Sequence, residues 1–264
     1  MQNIFKKVIK AQDKYNSSIV FDSRLIKEND IFIGLRSSNR DGNFFALDAI
    51  KKGAIFSIVD NNKLVHENII YTRSVQSFIN KFTKFLLGIY KGKIIAISGS
   101  VGKTTIKENI FHILNNNQFK TYRSFKNFNN ILGLQFSIMN MDINSKFAVF
   151  ELGINAPKEM DNLIKILHPH YSLLTSIEDS HIGNFNNFSN LFKNKIKIFN
   201  SRRLIKGLIN IRNDNFQLPK KVKNKVKRIN LENLNIKTLK QDNFIISFKN
   251  NNIFQKIYSD KEGV

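Results

Sequence analysis

The stretch KIIAISGSVGKTTIKENIFHILN, residues 93–115, sets an apolar run against a glycine-bearing loop and then an amphipathic pattern. Lys93–Ser98 reads as a strand and Lys103–Asn115 as a helix. Between and across them runs Gly99-Ser100-Val101-Gly102-Lys103-Thr104-Thr105. Glycines at such a turn let backbone N–H groups point inward around phosphate oxygens, and the helix start adds partial positive charge. Lys103 can then reach β- and γ-phosphates, and the Thr104 hydroxyl can ligate Mg²⁺. The longer phosphate-loop pattern asks for another glycine at position 97, where this chain has Ile97, so the shorter GxxGK[ST] form is what stands here.

Working outward, the C-terminal side alternates strictly. Strands are expected at Phe119–Arg123, Phe147–Leu152, Tyr171–Ile177 and Gly207–Ile211, with helices near Asn129–Asn140, Lys158–Leu167 and Phe188–Asn200. Such alternation predicts an α/β fold whose central, mostly parallel P-loop-type sheet carries helices on both faces, with its ligand site at the carboxyl ends of the strands. Beyond Asn215 the rhythm decays into short strand-like pieces. Upstream, Tyr90–Lys93 reads as a short linker. Before it, strands at Asp30–Leu35 and Ile55–Val59 and helices at Phe44–Lys52 and Ser74–Tyr90 predict a small N-terminal α/β domain, with Ser74 as N-cap and Gly53 as C-cap. Residues 1–90 and 93–264 are therefore the expected domains.

Composition narrows the function. The 264 residues contain no cysteine, which excludes a disulfide scaffold, a thiolate zinc site and a cysteine nucleophile. No apolar run reaches the roughly 20 residues a membrane-spanning helix needs, and the N-terminus lacks the apolar segment of a secretory signal. A cytoplasmic protein without stable membrane insertion is the expectation. The net charge of +22 suits a polyphosphate ligand, RNA or an anionic membrane, and residues 191–264, with 18 basic and 5 acidic side chains, are the more basic part. Against a nucleic-acid role, Lys and Asn are inflated along the whole chain, and no RNP, zinc-finger or glycine–arginine pattern occurs; no nucleic-acid partner is expected.

With the phosphate loop in place, four segments acquire a common resemblance: residues 22–54, SGSVGKTTIKEN at 98–109, KNFNNILGLQFSIMNM at 126–141, and residues 150–199 with ELGINAPKEM, TSIEDSHIGNF and NKIKIF in order. The chain resembles the Mur ligases, and among them the branch that joins D-Ala-D-Ala to UDP-MurNAc-tripeptide. That resemblance implies an ATP-dependent amide-bond ligase of peptidoglycan precursor synthesis. ATP would phosphorylate the tripeptide's terminal carboxylate, and the amine of D-Ala-D-Ala would attack the acyl phosphate and expel phosphate. Phosphorylation makes sense because a carboxylate is a poor electrophile at neutral pH.

The resemblance also assigns residues. Glu151, at a strand end beside Gly153, would hold a second Mg²⁺ or else cap the next helix. His181 matches the metal-site histidine. Lys195 falls where the family carries a lysine that reacts with CO₂ to form a carbamate supporting the metal cluster. With Lys103 and Thr104 these make the catalytic and metal set, served by ATP and two Mg²⁺ ions. Asp22, Ser23 and Arg24 would contact the uridine nucleotide, bound by residues 1–90. Asn129 and Asn130 would hydrogen-bond substrate or a metal-bound water, or simply cap the following helix, and Asn210, with Asn213 and Asp214, would lie near the nucleotide base.

Several positions depart from the family pattern: Lys158 for Gly, Ser176 and Glu178 for Asn and Gly, Lys197 for Glu, and Ile131 and Gln135 near Asn130. Glu178 and Lys197 are expected to alter the field near bound metal. Mur ligases carry a third, C-terminal domain, of which this sequence bears no sign. The expectation is a monomeric fragment or truncated product, its central domain incomplete, that turns over slowly or not at all by itself. Two alternatives remain: a ligase adding the third amino acid to UDP-MurNAc-dipeptide, and a non-catalytic nucleotide-binding module.

Overall fold

In a computed structural model, residues 1–37, 40–125, 128–177, 182–210, 218–229, 234–238, 244–248 and 251–257 are described. The first element, helix α1 (Gln2–Tyr15), was not foreseen. Its signal is short: Phe5, Val8 and Ala11 form the buried stripe, while Lys6, Lys7, Lys10 and Lys14 stay on the wet side. β1 (Ile19–Val20), β2 (Ile31–Ile33), α2 (Ala46–Lys51), β3 (Phe56–Val59), β4 (Ile69–Tyr71) and α3 (Val75–Ile89) follow. The four strands pair in order β1-β2-β3-β4, all parallel. Ser74 caps α3 as expected, its side chain accepting from the Ser77 N–H, and Gly53 ends the α2 region at φ 108°, a conformation open to glycine.

The second sheet is built from β5 (Lys93–Ser98), α4 (Lys103–Asn116), β6 (Thr121–Arg123), α5 (Ile131–Met139), β7 (Phe147–Glu151), α6 (Glu159–Leu167), β8 (Tyr171–Leu174), α7 (Phe188–Lys195), β9 (Lys206–Ile209), α8 (Lys220–Lys223) and β10 (Val226–Arg228). Its order is β10-β9-β8-β5-β7-β6, again all parallel. The expected helix over 188–200 splits, α7 giving way to a 3₁₀ turn at Ile196–Phe199. The strand-like tail contains β10 and an antiparallel meander of β11 (Leu234–Thr238), β12 (Phe244–Phe248) and β13 (Asn251–Ile257). After β5 the chain crosses to β6 at one edge and returns through β7, then continues on the other side of β5 through β8 and β9. The reversal places a crevice at the carboxyl end of β5. Among the described residues no helix is long and apolar enough to cross a membrane.

The two sheets share one apolar core. Phe5 meets Phe78 and Phe82 with ring centroids 5.7 and 5.1 Å apart, so α1 is seated on α3. Polar contacts then join α1, β1 and α3 to α5 and the residue that ends it. Asn140 takes the Ile19 N–H at 2.7 Å and donates to the Ile19 carbonyl, Gln12 donates to the Met139 carbonyl, and Gln135 donates to Asn80. The linker residue Tyr90 is itself buried, its hydroxyl 3.3 Å from that of Ser145.

One imidazole braces the start of β5. His170 Nδ1 accepts the Ile94 N–H at 3.0 Å, which requires the neutral ring. Burial, then Lys93 and Arg203, hold the His170 pKa below the ordinary 6.5. The unfolded chain thus binds the proton more readily than the folded one. The contribution of His170 to stability is fully present above about pH 6.5 and is lost as the pH falls below it. Replacing His170→Asn keeps an acceptor near the Nδ1 position without a titrating group. Urea unfolding at pH 7.5 and 5.5 should show a smaller acid-dependent loss in the variant than in the parent.

Candidate active site

Gly99 and Gly102 bend the chain from β5 into α4 at φ 151° and 81°. A Cβ on Gly99 would fall on the Thr175 hydroxyl, so only glycine fits there. The loop is tied to the neighbouring strand: Thr175 donates to the Val101 carbonyl at 2.6 Å, and the Ser100 N–H donates to the Ser176 carbonyl at 2.7 Å. Lys103 Nζ lies over the loop mouth, donating to the Gly99 and Ser100 carbonyls at 3.0 and 2.9 Å. Position 97 is inside β5, paired with Glu151 and Leu173. An apolar Ile97 therefore suits a strand interior, and the missing glycine costs the loop nothing.

Glu151 ends β7 with 2% of its surface exposed. Its carboxylate accepts from the Thr104 hydroxyl at 2.7 Å and from Asn129 Nδ2 at 3.0 Å, while its N–H is held by the Ser124 hydroxyl. Gly153 leaves the room Asn129 needs; a Cβ there would come within 2.8 Å of its amide. Asn130, by contrast, caps α5, accepting from the Gly133 N–H at 2.8 Å. Asn130 thus takes the capping role, while the Asn129 amide is engaged by Glu151. Lys195, 4% exposed at the end of α7, donates to the Ser100 hydroxyl at 3.0 Å.

Thr104 and Glu151 fit a magnesium site. Both present hard oxygen atoms, and a buried carboxylate held by two neutral donors gains from a cation beside it. Among the described residues no group of three His, Cys, Asp or Glu could hold a metal. His181, with Glu178, Asn213 and Asp214, lies outside the described residues.

The remaining expected residues sit elsewhere. Thr105 is exposed in the first turn of α4. Asn210 follows β9, its N–H donating to the Leu174 carbonyl, at the same carboxyl edge as the loop. Ser23 and Arg24 lie in a 3₁₀ turn, Ser23–Leu25, capped by the Asp22 side chain, in the N-terminal part. Arg24 pairs with Asp22 at 2.7 Å and holds its carboxyl at about 2. These residues line a groove of about 280 Å³ with Arg40 and Phe45. Sequence reasoning missed Ser124 and Thr175, whose hydroxyls fix Glu151 and the loop; their only signal was position near the carboxyl ends of strands.

The sheet that carries this loop and glutamate has known relatives. Residues 97–262 match the Mur ligase middle domain. The chain belongs to the Mur ligase family. It is 35% identical over 185 residues to the UDP-N-acetylmuramoyl-tripeptide–D-alanyl-D-alanine ligase of Rickettsia prowazekii, covering 69% of this chain and 41% of that protein. The ligase of the same name from Borreliella burgdorferi is 32% identical over 207 residues, covering 72% and 44%. A crystal structure of MurF from Acinetobacter baumannii gives a TM-score of 0.73 at 22% identity over 95% of this chain and 59% of that one. MurF from Thermotoga maritima, in complex with ADP, gives 0.70 at 22% over 91% and 57%. These structures share the fold. The chain spans less than half the length of the two curated relatives.

Three departures from the Mur ligase pattern gain a physical account. Lys158 stands at φ 69° before α6, a left-handed position that suits the glycine it replaces. Lys197 points at Asp161, 2.7 Å away, so its charge is largely answered within the fold. Ser176 serves the loop through its carbonyl, a contact any side chain permits. Gly99→Ala should lower stability by about 1–3 kcal/mol, because the added carbon meets the Thr175 hydroxyl at a strained φ. Lys158→Gly should be neutral or stabilising by up to about 1 kcal/mol. Parallel thermal melts of the two variants check both signs.

Proposed function

We propose that this Mur ligase chain carries the nucleotide- and substrate-binding parts of an ATP-dependent ligase joining D-Ala-D-Ala to UDP-MurNAc-tripeptide. The contact between Thr104 and the buried Glu151 supports it most directly, because it couples the phosphate loop to a carboxylate suited to Mg²⁺. The choice of substrates follows the names of the similar Rickettsia and Borreliella proteins.

In this proposal residues 93–264 bind ATP and residues 1–90 bind the uridine nucleotide, with Asp22, Ser23, Arg24 and the nearby Arg40 around its phosphates. Gly99–Thr105 wrap the ATP phosphates, Lys103 moves from the Gly99 and Ser100 carbonyls onto the β- and γ-phosphates, and Asn210 lies toward the base. Mg²⁺ held by Thr104 and Glu151 would neutralise phosphate charge as the tripeptide carboxylate becomes an acyl phosphate. Asn129 orients Glu151. By the family resemblance His181 and Lys195 would complete the metal surroundings, Lys195 as a carbamate. Buried beside Ser100, it could carry that negative charge directly behind the loop. The chain acts as a cytoplasmic monomer.

Calorimetric titration with Mg-ATP, then with UDP-MurNAc-tripeptide and UDP-MurNAc-dipeptide, tests the assignment. Lys103→Ala should weaken Mg-ATP binding at least about tenfold, and Glu151→Gln should remove most of the Mg²⁺ dependence. The tripeptide should bind more tightly than the dipeptide. The reverse preference favours a ligase adding the third amino acid, and Mg-ATP binding without either peptide favours a nucleotide-binding module. Nucleotide affinity indifferent to Lys103→Ala would sink the proposal.

A further inference from the structure

A cleft of about 720 Å³ runs between α3, α5 and α6, away from the phosphate loop. Its position follows from the chain path. His168 precedes β8, and Arg202 and Arg203 precede β9, so this end of the cleft lies at the amino edges of the strands. The phosphate loop and Glu151 lie at the carboxyl edges. The volume falls within the range of roughly 300–1,000 Å³ typical of small-molecule sites.

Charge in the cleft has one sign. Lys84, Lys165, Arg202 and Arg203 line it, and among its described lining residues there is no carboxylate. A concave surface with cations alone concentrates anions. Apolar Leu87, Ile131, Ile166 and Leu167 supply part of the wall, so the cleft offers an apolar surface beside a cationic end.

Two further observations point to an occupant. Thr83, 2% exposed, and His168 both line the cleft, and the Thr83 hydroxyl and His168 Nδ1 are buried without a hydrogen-bond partner. Leaving such a group unpaired costs roughly 1–3 kcal/mol, a cost that a ligand with donors and acceptors would remove. Gly88 lies inside α3, where glycine weakens a helix, yet a Cβ there would meet nothing within 4 Å. No local packing demands that glycine, and its absent side chain keeps the cleft open.

We propose that this cleft is a second ligand site, for a small phosphorylated molecule of about nucleotide size, with Arg202 and Arg203 binding the phosphate and Thr83 and His168 completing its polar contacts. The imidazole is a built-in reporter. Burial first, then Arg202 and Arg203, hold its pKa below the ordinary range. An anion answering those arginines raises it.

The test uses the full chain carrying Lys103→Ala, which disables the phosphate loop, titrated separately with pyrophosphate and AMP. Binding is read by calorimetry and by the His168 imidazole NMR signal. Saturable binding is expected, with the His168 signal moving and its pKa rising. Arg202→Gln with Arg203→Gln, both exposed and so harmless to folding, should weaken it at least tenfold. Gly88→Leu should abolish it by filling the cleft, with an unchanged circular dichroism spectrum as the control for folding. AMP binding more tightly than pyrophosphate assigns a nucleotide; the reverse assigns a simpler phosphate, and both uphold the site. No saturable binding of either probe at millimolar concentration overturns it, as does binding indifferent to the arginine substitutions.

Discussion

A buried carboxylate has to be answered by its surroundings, and Glu151 is where this fold answers one. Its oxygens accept from the Thr104 hydroxyl and the Asn129 amide, and its backbone N–H donates to the Ser124 hydroxyl. Those three partners come from the start of α4, the approach to α5 and the end of β6. One residue therefore gathers the segments that surround the crevice. Losing its carboxylate would remove the contact by which Thr104 ties the start of α4 to β7 and would free the Asn129 amide. Thr175 and Ser176 hold the other flank of the same loop from the end of β8. The loop is braced between the two strands that flank β5, so its backbone donors are oriented before any ligand arrives, which lowers the cost of binding.

The basic excess divides into two kinds of lysine and arginine. Some are answered inside the fold: Lys197 by Asp161, Arg123 by Glu108 while its guanidinium lies over the Phe111 ring, and Lys225 by the Leu204 carbonyl. Others converge without a carboxylate, most clearly around the cleft of α3, α5 and α6. The densest basic run, Lys220 to Arg228, forms α8 and β10 at the sheet edge. A net charge of +22 therefore describes a field spread over a folded surface, and its functional meaning depends on where concave geometry concentrates it.

The N-terminal and central sheets meet through matched polar contacts as well as apolar packing. Asn140 serves both backbone groups of Ile19, and Phe5 seats α1 on α3. That junction also forms the walls of the cleft, because α3 belongs to the first part and α5 and α6 to the second. Movement between the two parts would reshape the cleft, and a ligand there would bias their relative position.

The strand–loop–helix at residues 93–116, the alternation that follows it and the Ser74 cap were legible from sequence, because they depend on spacing between near neighbours and on the backbone freedom of glycine. Helix α1 was legible only faintly, since three buried positions among four lysines make a weak stripe. Glu151 and Lys195 stood out through family resemblance, whereas their contacts did not. Thr104 is 47 residues from Glu151, and Ser100 is 95 from Lys195. Pairing over such separations is set by strand order, register and the crossing helices. The same holds for the division of roles between Asn129 and Asn130, and for the convergence of Thr83, His168 and Arg202 on one cleft. Sequence alone determined which segments could form strands, turns and a phosphate loop, because those choices are local. Tertiary structure decided which side chains meet, because only the closed sheet brings distant polar groups to one edge and excludes the water that would otherwise satisfy them.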